Sequence, residues 1–416
     1  MSSARRQRLT RFTAVGIATV AVLLPASGAA VWASTPETGC NPAVPATCTL
    51  GDLAQRLGIR IGSTLEDFEL GNADYTSTLR REFTSLTPEN ALKMYSTQPE
   101  RGAWQFGAGD AVVGFAVDEA LELRGHTLVW AKDEFTPAWV TSIGDPAELR
   151  TVVEEHLGEV MRRYSDSVRR WDVVNEPLDT FGTGPSDSVF WTLGPEWIGD
   201  AFRLARSIDP TAELWINEYG TDWVPGKHEA LVALVGGLLS TGVPIDGVGI
   251  QMHRLPGAPL DQAAFEQQLR DFTALGLEVA VTELDVPVDP TDPGALAWQA
   301  GEFRKVVAAC LAVRGCTEVT VWGLTDADTW LDGLGLFPTP TRPLLFDGAY
   351  QPKPAYVAVR DEMAATLVRR TLPVTGGDAP VVVALALLVL VVGTALRVAA
   401  HRIPPMRSSR NRASRP

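Results

Sequence analysis

The sequence predicts an α/β fold, a single (β/α)8 barrel, and three observations carry that prediction. Short runs rich in β-branched and apolar residues recur eight times between residues 50 and 370, at the spacing of strands. Helical stretches lie between most of them, such as Ala147–Tyr164 and Pro195–Ser207. Strand–helix alternation of this kind builds a parallel sheet, and eight units close it into a barrel. The third observation is an absence. No GxGxxG or Walker motif opens any of these units, which argues against a three-layer nucleotide-binding sheet.

The eight runs are Ile59–Ser63, Phe83–Thr87, Arg124–Trp130, Arg170–Asn175, Ala212–Asn217, Ile245–Gln251, Glu278–Glu283 and Glu318–Gly323. A barrel makes a checkable claim about them, because its functional side chains gather at the C-terminal ends of the strands. The runs end in or lead into Glu89-Asn90, His126 to Trp130, Asn175-Glu176, Asn217-Glu218, Gln251 with His253, Glu283 with Asp285, and Trp322. Polar groups so close to apolar strand ends are costly unless they are paired or used. One such group could be a satisfied structural polar; seven in register point to a site.

The two ends of the chain read as addresses. Arg5, Arg6, Arg8 and Arg11 precede an apolar run, Phe12 to Leu24, and then small residues to Ala33. This is the pattern of a secretory signal peptide over residues 1–33. The other end reads LPVTGG at 372–377, then an apolar stretch from Ala379 to Leu396, then a tail with six Arg. That stretch of 18 residues makes a helix about 27 Å long, at ~1.5 Å per residue, just enough to span a bilayer. Residues 372–416 resemble the cell-wall sorting signal of Gram-positive surface proteins, which implies sortase cleavage between Thr375 and Gly376 and attachment to peptidoglycan. A plain C-terminal membrane anchor is the alternative. In both cases the protein is expected outside the cell, tethered.

The whole chain has 416 residues and a net charge of −14. The first 33 residues hold four Arg and no acid, and the last 41 hold six Arg and one Asp, so the segment between keeps 26 basic and 49 acidic residues. That balance excludes nucleic acid as the main partner, since phosphate binding needs a basic surface. Four cysteines suit an exported protein: Cys40 with Cys48 and Cys310 with Cys316 are the simplest of three possible pairings. Residues 34–49 form a short segment held by the first bridge, and 50–370 form the barrel domain, expected as a monomer.

Two glutamates stand at strand ends in suggestive surroundings, Glu176 in WDVVNEP and Glu283 in VTELDVP. Glycoside hydrolysis needs two carboxyl groups flanking the scissile bond. From about Leu50 to Arg360 the chain resembles glycoside hydrolase family 10, the retaining β-1,4-xylanases. The resemblance rests on TPENALKMYSTQPERGAWQF (87–106), LRGHTLVW (123–130), RRWDVVNEP (169–177), LWINEYG (214–220), PIDGVGIQMH (244–253), VAVTELDVP (279–287), VTVWGLTDADTWL (319–331) and RPLLFDGAYQPKPAY (342–356). It implies Glu283 as nucleophile and Glu176 as general acid/base, with xylan or xylo-oligosaccharides as substrate, no cofactor and no metal. Retention requires the two carboxyl groups to lie about 5–5.5 Å apart. It further implies that Asn175 binds the sugar 2-OH and that His253 with Asp285 keeps Glu283 ionised. Gln251 would hold the intermediate. Glu89, Asn90, Lys93, His126 and Trp130 would contact sugars on the non-reducing side, and Trp322 and Trp330 would wall the cleft. Cys310 and Cys316 resemble a family bridge. Trp104, Trp139, Trp191, Trp197, Trp215 and Trp223 read as structural.

The chain departs from the family pattern after its third strand. A His usually follows the Trp, then a Gln, but here Trp130 is followed by Ala131-Lys132-Asp133-Glu134-Phe135. The usual Lys-Trp pair is Lys93-Met94, and Glu218 and Gly220 stand where Asp and Asn are usual. Asp133 or Glu134 is expected to meet a decorated chain or to cover the cleft. Two alternatives therefore stay open: a retaining glycanase for another β-linked chain, and a non-catalytic glycan-binding surface protein.

Overall fold

The computed structural model describes residues 39–371, except Pro290, Pro338 and Thr339. The expected signal peptide at 1–33 and the sorting segment at 372–416, with Thr375 and Gly376, lie outside the described residues. Among the described residues, no helix is long and apolar enough to cross a membrane.

Among the described residues nine strands form one sheet: β1 (Arg60–Leu65), β2 (Ser85–Pro88), β3 (Glu122–Gly125), β4 (Val129–Trp130), β5 (Val168–Asn175), β6 (Glu213–Glu218), β7 (Gly247–Ile250), β8 (Glu278–Leu284) and β9 (Cys316–Val321). Their order is β3-β2-β1-β9-β8-β7-β6-β5-β4, and a further β3–β5 pairing closes the ring. All of these pairings are parallel. Strands β3 and β4 are two pieces of the third run, so nine segments make eight staves, as the sequence predicts. Between the pieces, the Leu128 N–H and the Thr127 hydroxyl both donate to the Asp172 carbonyl, at 3.0 and 2.8 Å. The predicted helix Ala147–Tyr164 spans Pro146–Tyr164, begun by Asp145 as its N-cap. The predicted Pro195–Ser207 spans Trp197–Ile208.

Most strand residues are buried, because helices cover the outside and side chains fill the inside. Part of this packing, on both faces of the sheet, is aromatic. Trp171 and Trp215 are fully buried, and each lies where a neighbouring strand offers only glycine. A Cβ at Gly125 would stand 2.2 Å from the Trp171 ring, and one at Gly247 would stand 2.6 Å from Trp215. The filling is also ionic. Glu318 of β9, wholly buried, takes Arg170 at 2.8 Å and Arg124 at 3.2 Å through Oε2, and accepts from Ser85 and Thr320 through Oε1. Arg124 in turn holds Asp172 at 2.7 Å and stacks its guanidinium 4.7 Å from the Trp215 ring centre. Charges this deep are tolerated only when the lattice is complete.

Both expected disulfides form, Cys40–Cys48 and Cys310–Cys316. The second joins the helix Ala295–Ala312 to the first residue of β9. Truncating Glu318 would leave two buried guanidinium groups without their shared counter-ion. Glu318→Ala is expected to cost about 3–5 kcal/mol of stability, read from the shift in the urea-unfolding midpoint.

Candidate active site

The parallel ladder does not stop where the strands end. The Glu176 N–H donates to the Asn217 carbonyl at 2.9 Å, Gln251 N–H to Glu218 at 3.0 Å, Glu283 N–H to Gln251 at 2.9 Å, and Trp322 N–H to Leu284 at 3.0 Å. Each of these site residues is thus bonded by its own backbone to a neighbouring stave. Sequence order places them on four different staves, and the ladder gathers them on one rim.

Glu283 and Glu176 are nearly buried, at 4% and 8% exposure. Glu176 sits at φ +57°, a left-handed conformation unusual outside glycine. The two carboxylates share one set of amides. Asn217 Nδ2 donates to Glu283 Oε1 at 2.6 Å and to Asn175 Oδ1 at 2.9 Å. Gln251 Nε2 donates to Glu176 Oε1 at 3.0 Å and to Asn175 Oδ1 at 3.2 Å, and Asn175 Nδ2 reaches Glu176 Oε1 at 3.3 Å. Asn217 is the residue that sequence reasoning missed as a site residue. Its place at a strand end was visible, but nothing local says that its amide links the two acids.

The other oxygen of Glu283 faces His253, whose Nε2 lies 2.9 Å from Oε2 while Nδ1 lies 2.8 Å from Asp285 Oδ2. Burial alone would discharge the ring, but the two carboxylates outweigh it, Asp285 first, and His253 is raised to about 10. Burial likewise opposes the Glu283 charge, yet the His253 hydrogen bond and the surrounding positive groups hold its carboxyl below the usual range. One buried acid is therefore kept ionised beside a second one with different partners, the arrangement that divides nucleophile from acid. Trp330, still 37% exposed, donates its Nε1 to Asp285 Oδ2 at 2.9 Å, so it braces the His253 pair as well as facing solvent.

The residues expected on the non-reducing side collect around β2, β4 and β9. Lys93, buried, donates to Asn90 at 2.9 Å and lies 4.5 Å from the Trp130 ring centre and 5.8 Å from that of Trp322. Glu89 accepts from Thr64 at 2.9 Å, and burial raises its carboxyl. Asn90 also bonds Glu66 and Tyr95, two residues the sequence reading did not single out. His126 is buried with Nδ1 2.9 Å from Asp172, and its ring meets Trp322 edge-on at 5.2 Å. Its tie to Asp172 makes it part of the barrel lattice as well as a neighbour of the cleft wall. Asp133 is not simply a cleft cover: it accepts the Val189 N–H at 2.6 Å, anchoring one loop to the next. Phe135 stacks on Trp130 with ring centres 3.8 Å apart. A hollow of about 550 Å³ lined by Asp326, Arg342, Asp347 and Lys353 contains none of these site residues. Among the described residues, no group of three or more His, Cys, Asp or Glu is disposed to hold a metal ion.

The profile of glycosyl hydrolase family 10 matches residues 49–362. The chain belongs to this family. Endo-1,4-beta-xylanase 3 of Hypocrea jecorina is 36% identical over 316 residues, covering 76% of this chain and 85% of that one. Among solved structures, native xylanase 10B of Thermotoga maritima is 34% identical with a TM-score of 0.72, covering 78% of this chain and 100% of that one. Xylanase 10B of Thermotoga petrophila, solved with xylobiose, is 33% identical with a TM-score of 0.72, covering 77% and 98%. As a family 10 member the chain is a retaining glycosidase.

Removing the His253 hydrogen bond leaves burial to raise the Glu283 carboxyl. His253→Ala is therefore expected to move the acidic limb of the kcat/KM pH profile upward, whereas a limb that stays in place would separate His253 from the ionisation of Glu283.

Proposed function

We propose that this chain is an endo-1,4-β-xylanase, with Glu283 as nucleophile and Glu176 as general acid/base. The observation that carries the assignment is the amide set shared by the two carboxylates, with the charged His253 beneath only one of them. In the first step Glu283 attacks the anomeric carbon as Glu176 protonates the leaving oxygen, giving a covalent glycosyl-enzyme. Neutralising Glu283 removes a negative neighbour of Glu176, which then acts as base on the water that releases the sugar. Asn175, held by Asn217 and Gln251, meets the sugar 2-OH, and Glu89, Asn90, Lys93, His126 and Trp130 bind the non-reducing side. The xylanase names of the relatives and the xylobiose held by one of them support xylan as the substrate class.

Residues 34–371 are expected to release reducing sugar from xylan in preference to mannan or β-glucan. Glu283→Ala should lose on the order of 10³-fold in kcat. Equal inertness of wild type and variant on every substrate would falsify the catalytic reading.

The reading also includes export by residues 1–33 and wall attachment through LPVTG at 372–376, supported by the order of motif, apolar stretch and basic tail. The final helix Pro354–Thr371 ends directly before that motif, leaving no spacer. The enzyme would sit close to its anchor and act on soluble oligosaccharides that reach the wall. Deleting 372–376 should move activity from the wall fraction into the membrane fraction or the medium; an unchanged distribution would remove the sortase step.

A further inference from the structure

Glu176 is held in a left-handed conformation, φ +57°, and is followed at once by Pro177. Such a conformation in a non-glycine residue costs about 1–3 kcal/mol and persists only where its surroundings enforce it. The next peptide shows what enforces it here. The Leu178 N–H donates to Glu218 Oε2 at 3.0 Å, and the Leu178 carbonyl accepts from Lys132 Nζ at 3.2 Å. The N–H and the carbonyl of one residue, two past Glu176, are therefore both gripped by charged side chains. Glu218 has no exposure and Lys132 has 5%.

Each grip is itself braced. Glu218 Oε1 accepts the Tyr219 N–H at 3.0 Å and faces Lys227 Nζ at 3.1 Å. Lys227 is fully buried, and its ammonium lies 3.8 Å from the Tyr219 ring centre. Lys132 has a second bond to Thr180 Oγ1 at 3.1 Å, farther along the same loop, and lies 5.5 Å from the same ring. Burying three charges is expensive unless each has a use that repays it.

The sequence origin of the clasp is informative. Lys132 falls in the third-strand loop that departs from the family pattern, and Glu218 stands where an Asp is usual. Two departures from different staves meet at the backbone of one residue, Leu178. The added methylene of Glu218 extends its reach toward the loop that follows β5, and Lys132 closes on that loop from the other side.

We propose that Lys132 and Glu218, with Lys227 as counter-ion, are positioning residues for the general acid, holding the Leu178 peptide so that Glu176 keeps its strained backbone and its aim at the leaving oxygen. The inference rests on Glu176 being the acid/base. It predicts a selective defect. Proton donation matters for a poor leaving group and hardly at all for one that departs as a stable anion.

The experiment is kcat/KM for Lys132→Ala and Glu218→Asp on aryl β-xylobiosides graded from dinitrophenyl to phenyl, beside xylotriose. The partners of Lys132 are uncharged, so its removal strands no buried charge, and Glu218→Asp keeps a carboxylate for Lys227 while withdrawing it from Leu178. Each variant should lose about 10- to 100-fold on phenyl xylobioside and xylotriose, and stay within about twofold of wild type on the dinitrophenyl substrate. Equal losses on all substrates, or no loss on any, would overturn the positioning role. Should Lys132→Ala not fold, Glu218→Asp decides alone by the same ratio. A variant defect confined to poor leaving groups on a wild type that prefers another β-glycan would keep the clasp and reject xylan. A wild type inert on every glycoside would reject both.

Discussion

The structure depends on the parallel hydrogen-bond ladder and on its running on to the rim, where the residues proposed to do the chemistry stand. The peptides of Glu176, Gln251, Glu283 and Trp322 each donate to a neighbouring stave, Glu176 to the following one and the other three to the preceding one. Catalytic geometry has to hold to within a fraction of an ångström, and side chains on free loops would not hold it. Here the backbone of each acid is fixed by the same interaction that closes the barrel.

Charge is arranged in two tiers along the barrel axis. Within the barrel, Glu318 pairs with Arg124 and Arg170 in a closed lattice whose work is structural. On the rim, Glu283 faces His253, which Asp285 holds from the other ring nitrogen. Asp172 joins the tiers, taking Arg124 on both oxygens and His126 on Oδ2 as well. A change in the lower tier would consequently be felt at the cleft wall, through His126 and the Trp322 ring it meets.

Much of this was legible in the chain itself. The strand runs could be read from β-branched composition, and the site from polar residues crowding seven strand ends. What stayed hidden involves partners far apart in sequence. Arg124, Arg170 and Glu318 look like ordinary charged residues within apolar runs, and Arg124 finds Glu318 across 194 positions. Asn217 was visible at a strand end, but its link between Glu283 and Asn175 is a relation among three staves. Lys132 registered only as a departure from a pattern and Glu218 as a departure at a strand end, and both meet at Leu178.

Local chemistry in the sequence determined the alternation of strand and helix and suggested the simplest cysteine pairs, because each is written in neighbouring residues; the two candidate acids were marked by the family resemblance. The tertiary structure alone showed the contacts that hold the Glu283 carboxyl low, which amides couple the pair, and which charged side chains grip the backbone just past Glu176. The reason is physical: ionisation, coupling and strain depend on groups brought together from different staves, and distance along the chain carries no record of distance across the barrel.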